Sequence, residues 1–203
     1  MCVFRTLLAA TAALALAPAA SAAVVSINIT SSNPGVYGSM IGVPDSGAVG
    51  NNNVNIDTFF AFDEAQDVML GAALDVAGGS IAAGTRISSH YLVWDPVDGE
   101  NKNISGSVVF DTQILGVMIN RALLDASNFL GLASVTYNAR DNMGLANQDT
   151  YSVAGNTFSF PFSANKPGDH VRVITAAAAD DAAAVAPVPL PAGGLLLLGA
   201  LGG

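Results

Sequence analysis

Short runs of strand-forming residues, each bounded by Gly, Pro, Asn or Asp, recur through most of the chain. In the first run, VVSINIT at 24–30, Val25, Ile27 and Ile29 alternate with polar residues. Because successive side chains of a strand point to opposite faces, this alternation predicts a strand with one buried side. Further runs lie at 55–62, 66–70, 85–95, 105–112, 113–119, 133–139, 157–162 and 169–175. Their composition and spacing predict an antiparallel all-β domain.

The number of strand-forming runs indicates which all-β architecture the domain adopts. Eight to ten strands in a domain at 23–175 favour a β-sandwich, jelly-roll-like, over a small barrel. Helical signals are confined to NRALLDASNFLG at 120–131, so we expect at most one short helix. The stretch 31–53 is rich in Gly, Pro and Asn, which favours loops over regular elements. No long amphipathic helices alternate with the strands, which argues against a parallel α/β sheet.

The first 22 residues have the layout of a secretory signal peptide. Arg5 precedes an apolar stretch, and the small residues Ala-Ser-Ala at 20–22 end it. We therefore predict a signal peptide at 1–22, with a buried N-terminal helix as the alternative. Cys2 is the only cysteine and would leave with the signal. The mature chain would then hold no disulfide and no thiol ligand.

The charge balance argues against one class of partner. The chain carries 7 Lys and Arg against 16 Asp and Glu, a formal net charge of −9. Such a balance repels phosphate backbones, and the basic residues form no stripe or patch. We therefore predict no nucleic-acid partner.

Signals for catalysis are weak. The two histidines, His90 and His170, fall inside predicted strands, and His90 shares a strand face with Leu92 and Trp94. No G-x-S-x-G nucleophile elbow and no H-E-x-x-H metal motif accompanies them. We interpret both histidines as strand residues that hydrogen-bond to neighbours. We predict no catalytic residue and no enzyme activity.

Two acidic segments suggest calcium. Calcium takes six to eight oxygen ligands from carboxylates, amides and carbonyls in flexible loops. DNMGLANQD at 141–149 supplies Asp141, Asn142 and Asp149 as the candidate ligands. Neither this segment nor WDPVDGEN at 94–101 has the order of the twelve-residue calcium loop. The other acidic and amide residues of the two segments are Asn147, Asp95, Asp98 and Glu100. The alternative, which we favour, is that these residues form Asx-turns at the ends of hairpins.

Aromatic side chains could stack on sugar rings, but their positions do not favour it. Trp94 and Tyr91 lie in one run on opposite faces, so they cannot form one platform. Phe158, Phe160 and Phe162 share a strand face, which predicts core packing.

The chain beyond the predicted domain changes composition sharply. AAAADDAAAVAP at 176–187 has nothing large to pack, and we interpret it as an Ala-rich spacer. An apolar segment follows at 192–203. As a helix it would reach about 18 Å, against about 30 Å for the hydrocarbon core of a membrane.

The residues between spacer and apolar segment carry a specific resemblance. They read Val188, Pro189, Leu190, Pro191 and Ala192, and a Gly-Gly pair and a Leu-rich run follow. This region at 188–203 resembles the VPLPA variant of the PEP-CTERM sorting signal of exported Gram-negative proteins. In that family a transmembrane helix and a basic cluster follow the motif. No Arg or Lys follows here, so we expect either a truncated sequence, which we favour, or a degenerated tail.

The resemblance implies a route rather than an activity. Carriers of this signal are held transiently in the inner membrane, processed by an exosortase-type membrane enzyme, and associated with exopolysaccharide and biofilm matrix. The region ahead of the signal resembles uncharacterised exported proteins, through AAGTRISSHYLVWDP and GDHVRVITAA. We therefore expect a structural or adhesive protein at the cell surface or outside the cell. The alternative is a carbohydrate-binding module, calcium-assisted or not. A polysaccharide-acting enzyme would need two converging carboxylates and is the least favoured interpretation.

Overall fold

The computed structural model describes residues 21–33, 35, 37–50, 53–97, 102–138, 144–145, 149–164 and 168–179. Several predictions lie outside the described residues. They concern the motif from Val188 to Ala192, nearly all of the signal peptide, most of the spacer, and Asp141, Asn142, Asn147, Asp98 and Glu100. Ser21–Ala178 forms one compact unit.

Within this part of the chain the regular structure is almost entirely β. The strands are β1 (Val24–Asn33), β2 (Gly38–Ile41), β3 (Ala48–Val49), β4 (Thr58–Asp63), β5 (Val68–Met69), β6 (Leu74–Val76), β7 (Gly79–Ile81), β8 (Arg86–Trp94), β9 (Lys102–Phe110), β10 (Ile114–Met118), β11 (Thr136–Tyr137), β12 (Ser152–Ala154), β13 (Thr157–Ala164) and β14 (Asp169–Ala176). A single α-helix, α1 (Arg121–Ala126), leads into a 3₁₀ turn at Asn128–Leu130. The all-β prediction is confirmed, and the helical residues fall inside the predicted window 120–131.

The strands form two main sheets. One is four-stranded with the order β1-β9-β13-β12, and the other is six-stranded with the order β10-β14-β8-β4-β2 and with β5 also paired to β8. Two small pairs, β3 with β11 and β6 with β7, complete the set. All pairings are antiparallel except β2 with β4 and β3 with β11. The chain is thus a predominantly antiparallel β-sandwich, and its jelly-roll type stays a prediction.

A first core fills the space between the two main sheets. Alternate residues of β13 point into it, so Phe158, Phe160 and Phe162 are buried as predicted. Phe160 stacks on Phe59 of β4 with ring centroids 4.7 Å apart, which joins the two sheets through parallel rings. Leu92 and Trp94 of β8 belong to the same core.

A second core covers the other face of the six-stranded sheet. It contains Tyr91 and Val93 of β8, together with Leu124 of α1 and Leu130 of the 3₁₀ turn. Strand β8 is therefore buried on both faces from Ile87 onward. This explains why its second half, residues 91–94, reads as a continuous apolar run rather than an alternating one.

Two details differ from the sequence predictions. The register of β1 shifts between Val24 and Ser26, so Val24 is buried while Val25 is 54% exposed. A β-bulge of this kind reverses the facing of the residue it inserts, and simple alternation cannot show it. We expected the stretch 31–53 to form loops, but it contains the end of β1 together with β2 and β3. Strand β2 pairs with β4 and strand β3 pairs with β11, so both find backbone partners elsewhere in the chain. No helix among the described residues has the length and apolar character that a membrane crossing needs.

Candidate functional site

The two aromatic candidates on β8 are both buried. Trp94 and Tyr91 have 0% exposure and belong to different cores, so their predicted placement on opposite faces is confirmed. Trp94 packs against Tyr37 with ring centroids 5.7 Å apart, and Tyr91 meets Tyr137 edge-on at 5.5 Å. Neither ring is presented to solvent, so β8 offers no aromatic platform for a sugar.

His90 joins two strands through both ring nitrogens. Nδ1 lies 2.7 Å from Asp63 Oδ1 of β4, and Nε2 lies 3.0 Å from Thr175 Oγ1 of β14. The order of groups matches that of a nucleophile, a base and an orienting acid. However, Thr175 and His90 both have 0% exposure, so no substrate reaches Thr175 Oγ1 in this structure. His170 is likewise buried, with Nδ1 3.1 Å from the hydroxyl of Tyr91.

A buried ion pair between Glu64 and Arg172 is the centre of a polar cluster that the sequence did not predict. Arg172 Nε and Nη2 donate to the two carboxylate oxygens of Glu64 at 2.5 and 2.7 Å, a bidentate contact. Arg172 Nη1 donates to the backbone oxygen of Leu124 at 3.1 Å and to Ser127 Oγ. Ser89 and Tyr137 donate their hydroxyls to Glu64, each at 2.6 Å. The cluster thus ties α1 and β11 to the six-stranded sheet.

The electrostatics of this cluster are those of a fixed structural element. Burial by itself would lower the pKa of Arg172, but hydrogen bonds and the charge of Glu64 outweigh burial and raise it. Burial, followed by the charge of Glu64, raises the pKa of Tyr137. Both side chains of the ion pair have 0% exposure. Arg172 therefore remains charged and Tyr137 remains neutral across the ordinary pH range. The ion pair itself is closed to solvent, while Tyr137 is partly exposed.

Of the three calcium candidates, only Asp149 is among the described residues. Its Oδ1 accepts a hydrogen bond from Ser163 N at 2.8 Å, and its side chain also meets the carboxyl of Asp169. Burial, followed by the charge and hydrogen bond of Asp149, raises the pKa of Asp169 well above the usual range. Asp95, from the second acidic segment, is buried and accepts hydrogen bonds from Val54 N and Asn55 N, each at 3.0 Å. Asp95 thus caps a backbone segment 40 and 41 positions away in sequence, which is a long-range contact and not the local Asx-turn that we expected. The described residues contain no group of three or more His, Cys, Asp or Glu side chains placed to hold a metal.

The outer side of the four-stranded sheet carries mainly hydroxyl and amide side chains. Residues of β9 and β13 alternate, so every second side chain points away from the core. The strand registers place these side chains in four rows: Ser26, Val109, Thr157 and Ala154; Asn28, Ser107, Ser159 and Ser152; Ser31, Ser105 and Pro161; Asn33, Asn103 and Ser163. We call this set the hydroxyl face. It contains no charged side chain, although the whole chain carries a net charge of −9.

A shallow groove of about 290 Å³ lies on the hydroxyl face. Its lining includes the hydroxyl-bearing residues Thr30, Ser105, Thr150, Tyr151, Ser152 and Ser159. Exposed Pro161 adds an apolar surface between them. Tyr151 stacks on buried Phe158 with ring centroids 5.8 Å apart and an angle of 17° between the planes. The groove therefore combines many hydrogen-bonding groups with a tyrosine whose ring is supported by the core.

The sequence contained part of the signal for this face. Ser26, Asn28 and Thr30 already alternate with apolar residues in the first run. The bulges of β1 and the pairing across four strands, which bring these residues beside Ser105 and Ser159, cannot be read from one strand alone.

A larger groove, of about 450 Å³, lies near the second core. It is lined by the segment 69–75 and by Leu123, Ala126 and Phe129. Asp75 is its only charged lining residue, and no histidine or hydroxyl side chain contributes to it. It lacks the convergent polar groups that fix a ligand's orientation in specific sites.

The chain matches no family model, no curated protein and no solved structure.

Proposed function

We propose that this chain is an exported surface or extracellular-matrix protein with a structural or adhesive role, and that its β-sandwich contacts extracellular polysaccharide. The single observation that supports this proposal is the hydroxyl face, an uncharged field of Ser, Thr and Asn side chains on the outer side of one sheet. Hydroxyl and amide groups both donate and accept hydrogen bonds, as the hydroxyls of a polysaccharide do.

The remaining described polar clusters agree with a structural role. The Glu64–Arg172 pair and the contact between His90 and Thr175 are enclosed, and they join elements of the fold to one another. Export and delivery enter the proposal through the resemblance of Val188–Ala192 to the sorting motif. An exosortase-type enzyme would be the processing partner, and the inner membrane would hold the chain transiently.

The proposal is tested by following the full chain in a host that contains the exosortase pathway. We expect the wild-type protein to appear in the extracellular matrix fraction and to be released when the matrix polysaccharide is digested enzymatically. The double variant Pro189→Ala/Pro191→Ala should remain in the membrane fraction, because the sorting motif would no longer be recognised. The matched control Pro187→Ala, which lies outside the motif, should be released as the wild type is. Equal release of both variants would contradict sorting, and a protein that does not respond to polysaccharide digestion would contradict the matrix role.

A further inference from the structure

We infer that the groove on the hydroxyl face is a binding site for an uncharged polysaccharide. This inference rests on the proposed function and deepens it, because it names the surface and the class of glycan. It is carried by three properties of the face: unengaged hydroxyl groups, the absence of charge, and a regular, rigid arrangement.

The hydroxyl groups of the groove are free to bind a ligand. Among the described residues, the side chains of Ser105, Ser152 and Ser159 form no hydrogen bond with the protein. Thr30 is the exception, since its hydroxyl donates to the backbone oxygen of Ser105 at 3.1 Å. The hydroxyl groups of these three serines therefore make no contact that holds the fold among the described residues. Their hydrogen-bonding capacity is available to a ligand hydroxyl in exchange for water.

The absence of charge selects among glycans. A chain of uronic acids or sulfated sugars would need Lys or Arg, or a bridging cation, to offset its negative charge. The hydroxyl face contains neither basic nor acidic side chains, and the protein as a whole is strongly acidic. Long-range repulsion therefore disfavours anionic polysaccharides, while a neutral polysaccharide incurs no such cost.

The arrangement of the face suits a repeating ligand. Ser107 and Ser159 are direct partners across β9 and β13, and Ser159 is the direct partner of Ser152 on β12. Neighbouring strands lie about 4.8 Å apart, so hydroxyl groups recur across the sheet at about the length of one sugar ring. A glycan chain that lies across the strands along this row would thus meet the hydroxyl groups of Ser107, Ser159 and Ser152 in turn.

The groove is held rigidly from below. Each outward serine of β9 and β13 is flanked along its strand by buried residues, such as Val108 and Phe158. Tyr151 is supported by the same core through its stacking on Phe158. A preformed surface loses little conformational entropy on binding, which favours affinity from individually weak contacts.

The test measures binding of the full chain to soluble polysaccharides by affinity electrophoresis. Dextran, galactomannan and hydroxyethylcellulose serve as neutral probes, and alginate and polygalacturonate serve as anionic ones. We expect retardation by at least one neutral probe and none by the anionic probes. The double variant Ser105→Ala/Ser159→Ala should bind at least about fivefold more weakly, because two hydrogen bonds are lost. The matched control Ser39→Ala/Ser80→Ala, on exposed strands β2 and β7, should bind as the wild type does.

A second variant tests the groove independently of Ser105 and Ser159. Thr150→Ala/Ser152→Ala should also weaken neutral-glycan binding at least about fivefold, because it removes two further exposed hydroxyl groups of the groove. Its circular dichroism spectrum should match that of the wild type. Loss of binding in the groove variants alone supports the inference.

The remaining outcomes separate the inference from the proposed function. Binding to alginate or polygalacturonate that is insensitive to the groove variants would overturn the groove inference but leave a polysaccharide-associated protein. Binding to neutral probes that the groove variants do not change would place the contact elsewhere and also overturn it. Failure to bind any probe overturns the inference, and the matrix-digestion experiment then decides the proposed function separately.

Discussion

Arg172 is a buried cation whose partners come from four separate parts of the chain. Glu64 follows β4, Leu124 lies in α1, Ser127 caps that helix, and Tyr137 and Tyr91 place their rings 5.5 and 5.2 Å from its guanidinium. Removal of a charge from water costs several kcal/mol, so such a residue is tolerated only when every donor is satisfied. Here all three nitrogens of the guanidinium donate to acceptors, which makes the cluster a fixed cross-link between α1 and the sheet.

The first prediction concerns removal of the Arg172 charge while Glu64 is kept. Arg172→Leu should lower the free energy of unfolding by about 3–5 kcal/mol, because Glu64 would stay buried without a counter-charge. The double variant Glu64→Leu/Arg172→Leu should cost less than the sum of the two single variants, because no isolated charge remains. Urea unfolding monitored by circular dichroism measures both values.

A matched arginine on the surface serves as control for that measurement. Arg121 and Asp125 form an exposed pair four residues apart on α1, with Arg121 Nε 3.3 Å from Asp125 Oδ2. Arg121→Leu should change stability by no more than about 0.5 kcal/mol. Similar losses for Arg172→Leu and Arg121→Leu would contradict the cross-link.

At the scale of elements, β9 holds the centre of the four-stranded sheet and depends on a glycine. A Cβ added at Gly106 would lie 2.4 Å from the backbone oxygen of Asn28 and 3.2 Å from Phe160 Cζ. The first contact involves the backbone of β1 and cannot be relieved by a side-chain rotation. Strand β1 can therefore approach β9 this closely only because residue 106 has no side chain.

The second prediction follows from that contact. Gly106→Ala should destabilise the fold by about 1–3 kcal/mol through overpacking and loss of β1 pairing. Gly79→Ala in β7 is the matched control, since a Cβ there meets nothing within 4 Å. It should be neutral or stabilise by a few tenths to about 1 kcal/mol, because alanine restricts the unfolded chain. Thermal unfolding of both variants gives the comparison, and equal melting temperatures would contradict the packing argument.

The elements that could be predicted from sequence are those whose pattern is local. Strands β1, β8, β13 and β14 each contain at least four β-branched or aromatic residues, and all were found near the predicted bounds. The hairpin of β6 and β7 was missed because each strand has three residues and the Gly78-Gly79 pair resembled a linker. In the structure Gly78 adopts a φ of 83°, which a tight hairpin turn requires and which glycine reaches without strain.

The candidate site was harder to predict for a physical reason. Alternation within β1 identified its polar residues, yet the hydroxyl face also needs β9 and β13, which lie more than 70 residues further along the chain. The partners of Glu64 are similarly remote, since Arg172 is separated from it by 108 positions. Pairing across the sheet is decided by the packing of the whole domain, and one sequence does not reveal it.

At the scale of the whole molecule, charge is distributed unevenly. The side chains that form the hydroxyl face are uncharged, while one carboxyl group, that of Asp169, is buried at the start of β14. Asp169 is 3% exposed and lies against Asp149, which also accepts a hydrogen bond from the backbone N–H of Ser163 near the end of β13. Burial is the larger cause of its raised pKa and the charge of Asp149 the second. The global stability of the domain is therefore coupled to pH through this residue.

The third prediction is the direction of that coupling. Asp169 has a pKa in the folded state above its unfolded value of about 3.9, so the folded state binds the proton more tightly. Its contribution to stability is fully present below about pH 4 and is lost as the pH rises through the folded pKa. Asp169→Asn keeps a neutral side chain at every pH. The variant should therefore match the wild type in acid and become the more stable of the two as the pH approaches neutrality.

The measurement is urea unfolding of both proteins at a series of pH values. The difference in free energy of unfolding, variant minus wild type, should grow with pH and then level off above the folded pKa. Asp149→Asn should reduce this pH dependence without abolishing it, because burial of Asp169 persists when the neighbouring charge is removed. A constant difference between Asp169→Asn and wild type over the whole series would show that Asp169 titrates alike in the folded and unfolded chain. The buried carboxyl would then have no part in the pH dependence of the domain.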